Sequence, residues 1–144
     1  TDNDIRDEGA LALANMMVSN KTVTDIELST SKISDDAKRI ADAISTNVSV
    51  TTLNFAHLDI GQDCALAFAD VLAITAMNAT AEVNLCNMNI GIKDMKIIAT
   101  ALHNNKTITS INLAFNNVGD DGAKEIATAL GTNKSVSILS LTDN

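Results

Sequence analysis

A unit of 28 residues recurs along this chain, and the recurrence constrains the fold more than any other feature. The stretch Ile108 to Ser135, ITSINLAFNNVGDDGAKEIATALGTNKS, shows it most clearly. Its start alternates as a strand does, with Ile111 and Leu113 on one side and Ser110, Asn112 and Ala114 on the other. A turn at Asn116-Asn117-Val118-Gly119 leads into helical spacing, with Ala123, Ile126, Ala127 and Leu130 on one face. A unit this short cannot bury its own apolar face, so copies must stack on one another.

Two independent landmarks carry the repeat. Strand-like apolar pairs fall at Ile26/Leu28, Leu53/Phe55, Val83/Leu85, Ile111/Leu113 and Leu139/Leu141, in steps of 27, 30, 28 and 28 residues. The apolar residue after each turn falls at Ile5, Ile33, Ile60, Ile90 and Val118, drifting in step with the first set. Besides the quoted unit, the spacing predicts helices over Asp7 to Ser19, Asp35 to Ser45, Gln62 to Ile74 and Lys93 to His103. It predicts strands over Thr24 to Leu28, Thr52 to Phe55, Glu82 to Leu85 and Val136 to Leu141. Inward positions are Ala10, Leu13, Ala14 and Met17 in the first helix, Ala65, Phe68, Ala69 and Leu72 in the third, and Met95, Ile98, Ala99 and Leu102 in the fourth.

Acidic pairs Asp7-Glu8, Asp35-Asp36 and Asp120-Asp121 stand at helix starts, where the macrodipole favours them; Ile92-Lys93 takes their place in the fourth helix. The small residues Gly9, Cys64 and Gly122 sit near first turns, where helices can pack close. Asn3, Asn116 and Asn144 share one turn slot, and their side chains can bond across stacked units. Ser31, Leu58 and Met88 interrupt that series.

Aromatic residues make up only 2% of the chain, so the core must come from Leu, Ile, Val and Ala in repeating slots. The net charge of −8 argues against a phosphate backbone as ligand and for a protein partner of basic or mixed charge. Cys64 and Cys86 lie in different units and form no disulfide framework, which points to a reducing compartment such as the cytoplasm. No apolar run approaches the ~20 residues that span a bilayer.

Strand alternation gives the outward positions as columns across the stack. One is Asp25, Thr52, Glu82, Ser110, Ile138; the next is Glu27, Asn54, Asn84, Asn112, Ser140. A third is Ser29, Ala56, Cys86, Ala114, Thr142, and a fourth, where strand becomes turn, is Thr30, His57, Asn87, Phe115, Asp143. The candidate protein-binding residues are Asp25, Glu27, Asn54, His57, Glu82, Asn84, Cys86, Asn87, Asn112 and Phe115. Phe115 would be an aromatic anchor, with polar groups around it and carboxylates for steering.

Other chemistries are weaker. His57 and Cys86 come from neighbouring strands, with Asn87 and Asp59 near in sequence, but nothing resembles a nucleophile elbow or an exposed helix N-terminus beside Cys86, so no catalytic residue is assigned. Two Cys and two His lack metal-ligand spacing, and Asp2-Asn3-Asp4 lacks the later glycine and glutamate of a calcium loop. No cofactor, metal, nucleic acid, small-molecule substrate or membrane insertion is expected. Asn20-Lys21-Thr22, Asn47-Val48-Ser49, Asn78-Ala79-Thr80, Asn105-Lys106-Thr107 and Asn133-Lys134-Ser135 match a glycosylation acceptor, yet recur once per unit at the helix-to-strand return. They are expected to be turn chemistry instead.

Leu113-Ala114-Phe115-Asn116-Asn117-Val118, Gly122-Ala123, Ile126-Ala127 and the Asn-Lys-Ser/Thr returns resemble leucine-rich repeats of the ribonuclease-inhibitor type. The resemblance implies an α/β right-handed solenoid, a horseshoe segment with parallel strands on the concave face and helices on the convex face. Residues 1–144 are then one domain of about five repeats, expected to be part of a longer chain because both ends look cut. It also implies a protein-protein interaction module that binds through strands and adjoining turns, such as an inhibitor covering the active site of a partner enzyme. Similar repeats occur in bacterial effectors, for which the compartment would be the host cytosol. The alternatives are a scaffold or self-assembly segment without its own ligand and, more remotely, a Cys–His hydrolase.

Overall fold

The computed structural model describes residues 5–29, 37–58, 72 and 80–144. The strands β1 (Asp25–Glu27), β2 (Thr52–Asn54), β3 (Glu82–Asn84), β4 (Ser110–Asn112) and β5 (Ile138–Ser140) form one sheet in chain order. All neighbouring pairs are parallel, so each return must cross the full length of a unit. The described helices are α1 (Asp7–Ser19), α2 (Ala37–Thr46), α3 (Ile92–Asn104) and α4 (Gly119–Thr132). α1 packs on α2, and α3 on α4.

The core lies between sheet and helices. Leu53, Val83 and Ile111 from the strand centres meet Met17, Ile44, Met95, Ile98 and Leu102 from the helices, all buried. The expected inward residues Ala10, Ala14 and Met17 of α1 are buried, with Leu13 partly so, and all four of α3 are buried. In α4 the buried set is Gly122, Ile126 and Ala129, whereas Ala127, expected inward, is exposed. α4 packs on α3 along one side, which narrows its buried stripe. Leu72 is helical and buried; otherwise the expected third helix, the helix entry near Asp35 and the Asn3 turn lie outside the described residues.

The strands are shorter than the alternation suggested, but their ladder continues beyond them. Leu28, Phe55, Leu85 and Leu113 each donate a backbone N–H to a carbonyl of the next unit, at Asn54, Asn84, Asn112 and Ser140. α3 starts at Ile92, one residue before the expected boundary. Its acid is Asp94, whose Oδ2 accepts from the Gly91 N–H at 2.8 Å, doing the work that an acidic pair does elsewhere.

The return asparagines hold units together. The Asn105 side chain donates to Leu72 O at 2.8 Å and accepts from the N–H groups of Thr107 and Ile108. Asn47 bonds Met17 O and Asn20 O, and Asn133 bonds Leu102 O and Asn105 O, in the same way. Asn47 and Asn105 are each only 2% exposed, and the nitrogen a glycan would need is committed to a carbonyl. The motifs at Asn47, Asn105 and Asn133 are structural. Among the described residues the Asn20 side chain only accepts, from the Thr22 and Val23 N–H groups of its own turn, and Asn78 lies outside the described residues.

In the turn slot, Asn116 donates to Leu85 O of the preceding unit and accepts from Met88 and Ile90 N–H groups. Asn144 likewise donates to Leu113 O. Leu58 and Met88 fill the same slot as buried apolar side chains, so the series is interrupted as expected.

Candidate functional site

Backbone pairing sets the geometry of the outer sheet face. The register aligns Asp25, Thr52, Glu82, Ser110 and Ile138 in one row, and Glu27, Asn54, Asn84, Asn112 and Ser140 in the next. These are the first two columns expected from alternation. Their residues are exposed or half-buried, while the row between them points inward.

The second row shares a local device. Asn54, Asn84 and Asn112 each turn Oδ1 onto the N–H two residues ahead, at Ala56, Cys86 and Ala114, over 3.0–3.1 Å. The amide nitrogens have no partner among the described residues, so the row presents N–H donors outward. At its head, Glu27 accepts from the Ser29 hydroxyl at 3.1 Å.

The third column departs from expectation. Ala56 and Ala114 are buried and Cys86 is half-buried, because the chain there is already bending off the sheet toward the turn. The fourth column follows that bend. His57, Asn87, Phe115 and Asp143 all have φ between +53° and +59°, the left-handed region that non-glycine residues rarely occupy. Their backbones still extend the ladder: His57, Asn87 and Phe115 donate N–H groups to Cys86, Ala114 and Thr142 carbonyls. This conformation throws the side chains outward, and Phe115 is 54% exposed. Thr30, the first member of the column, lies outside the described residues.

His57 and Cys86 are brought near each other through the backbone, but the imidazole engages elsewhere. His57 Nδ1 lies 2.7 Å from Asn87 Nδ2, which makes it the acceptor in that pair. Cys86 is a free thiol, and Cys64 lies outside the described residues. Among the described residues no group of three His, Cys, Asp or Glu could hold a metal, and no helix is long and apolar enough to cross a membrane.

Among the described residues, cations are confined to the helix side and the returns, while acids occur on both sides of the molecule. The four columns hold Asp25, Glu27, Glu82 and Asp143, but none of the chain's 10 Lys and Arg residues. The described cations stand on or beside helices, as do Arg6, Lys38, Arg39, Lys93, Lys96 and Lys124, or in returns, as do Lys21, Lys106 and Lys134. Asp25, Glu27 and Glu82 have no cationic partner among the described residues. Two face residues that the candidate set omitted are Ile138, 60% exposed, and Asp143; column membership alone was the signal for both.

A family model described as "Leucine Rich repeat" matches residues 1–14 and 104–127. No curated protein sequence matches the chain. Among solved structures it is similar to "Leiomodin-1 Actin-Binding Site 2 (ABS2)", at 23% identity and a TM-score of 0.77, over 92% of this chain and 76% of that one. The fold is a leucine-rich-repeat solenoid.

Proposed function

We propose that this chain is a protein-protein interaction module that binds a partner of basic or mixed charge through its outer sheet face and the adjoining turns. The observation that carries the reading is the exclusion of cations from this face, which holds carboxylates and amides without a single Lys or Arg. Phe115 supplies an exposed aromatic anchor at its rim. The solenoid likeness supports a binding role over a catalytic one, and actin is the first candidate because the similar solved structure is named for binding it. A reducing compartment belongs to the same proposal. The narrower form, in which the face covers the active site of an enzyme as in the ribonuclease-inhibitor type, applies if the captured partner is an enzyme.

The test is affinity capture with mass spectrometry, run beside actin co-sedimentation. Wild type is compared with a folded variant carrying Glu82→Lys, Asn84→Asp and Phe115→Asn. Asn84→Asp keeps the acceptor for the Cys86 N–H, and Phe115→Asn suits a left-handed backbone. A partner captured by wild type and lost by the variant supports the reading, and an enzyme so captured should then be assayed for inhibition. A partner held equally by both moves the site to the helices or returns. No partner at all favours a scaffold role.

A further inference from the structure

The outer sheet face is not uniform along the stack. In the first two rows the carboxylates Asp25, Glu27 and Glu82 lie on β1 and β3, and no acid lies on β4 or β5. Ile138 on β5 is the one large apolar group of these rows. Its exposure differs in kind from that of Leu139, which aligns with the buried Ile111 and points inward. Ile138 aligns with Ser110 and faces outward, so a further neighbour beyond β5 would leave it on the face. Between the two ends stand the outward amide donors of Asn54, Asn84 and Asn112.

Resting on the reading above, we infer that this face takes one continuous protein segment lying across the strands, with Lys or Arg over β1 to β3 and an apolar residue on Ile138. The carboxylates are oriented for a cation from outside. Thr24 donates its hydroxyl to Asp25, Ser29 donates to Glu27, and no described Lys or Arg neutralises either. The amide row offers donors to backbone or side-chain carbonyls of the same segment. Four strand spacings of about 4.8 Å make the run about 19 Å long, which an α-helix covers in about 13 residues. Phe115 lies outside this run, on the turn side.

The inference is tested with two labelled synthetic peptides of about 13 residues and identical composition. One segregates three lysines in one half from three leucines in the other; the second intersperses them. Anisotropy titrations with the full chain at about 50 mM and about 300 mM salt then read both affinity and screening. The segregated peptide should bind about tenfold tighter. Glu82→Gln should weaken it and flatten its salt dependence, and Ile138→Ser should weaken it at both salts alike. Both residues are exposed, and circular dichroism checks that each variant folds. Equal affinity for the two peptides, or no binding by either, overturns the segmental inference. If both peptides bind equally and both lose affinity on Glu82→Gln, the face reading survives without the ordering. Binding that neither substitution changes overturns both.

Discussion

Phe115 joins a bulky ring to a left-handed backbone, a combination that costs about 1–2 kcal/mol relative to the ordinary regions. The ladder bond from its N–H to Thr142 O holds it there, and the ring gains little burial in return. A strained, exposed aromatic residue suits contact better than stability. Phe115→Asn should therefore leave the unfolding midpoint in urea unchanged, or raise stability by up to about 1 kcal/mol, while partner capture falls. A clear loss of stability would mean that the ring packs under the turn. The return asparagines should behave in the opposite way. Asn105→Ala removes the bonds to Leu72 O and to the N–H groups of Thr107 and Ile108, of which the Leu72 and Ile108 bonds are buried, at a cost of about 3 kcal/mol. Asn20→Ala should cost about half as much, because Asn20 accepts from Thr22 and Val23 but its amide nitrogen has no partner among the described residues. Urea denaturation of the two variants side by side checks that order.

Each strand and helix is made from the same few slots, so their energies can be compared between units. Leu113 is fully buried, whereas its equivalent Leu141 is half-buried. Leu113→Ala should cost ~2–5 kcal/mol and Leu141→Ala about 1 kcal/mol, read from unfolding midpoints. Gly122 is a point of close approach: a Cβ there would lie 2.8 Å from Val118 Cγ1 and 3.2 Å from Met95 Cγ on α3. Gly122→Ala should destabilise by about 1–2 kcal/mol despite alanine's better helix propensity. That glycine was legible as a small residue in the first turn, and the register of the outer rows was legible from alternation and repeat spacing together. Other features were not. The burial of Ala56 and Ala114 follows from a left-handed residue immediately after each, which Ala-His and Ala-Phe do not announce. The exposure of Ala127 depends on what packs beside α4, and periodicity carries no information about that. Asp94 was passed over because the acid stood two residues inside the helix rather than at its edge.

At the scale of the molecule, each strand bonds only to its neighbours in sequence, so stability should accumulate locally rather than across one closed core. β3 has partners on both sides, and its centre Val83 is 3% exposed; β5 has one partner, and Leu139 at its centre is 37% exposed. Amide hydrogen exchange should therefore be slowest around β3 and β4 and fastest in β5, following local opening rather than a single global event. The face described above spans that gradient. Its carboxylates stand on the edge strand β1 and on the doubly paired β3, and its apolar contact Ile138 sits on the other edge strand, whose centre Leu139 is the most exposed of the five. A partner seated on Ile138 would cover the edge whose strand centre is most exposed, so binding should slow exchange most in β5 and least in β3. Exchange measured with and without the segregated peptide checks this directly. Protection confined to β1 and β2 would show that the cationic half binds alone and that Ile138 takes no part.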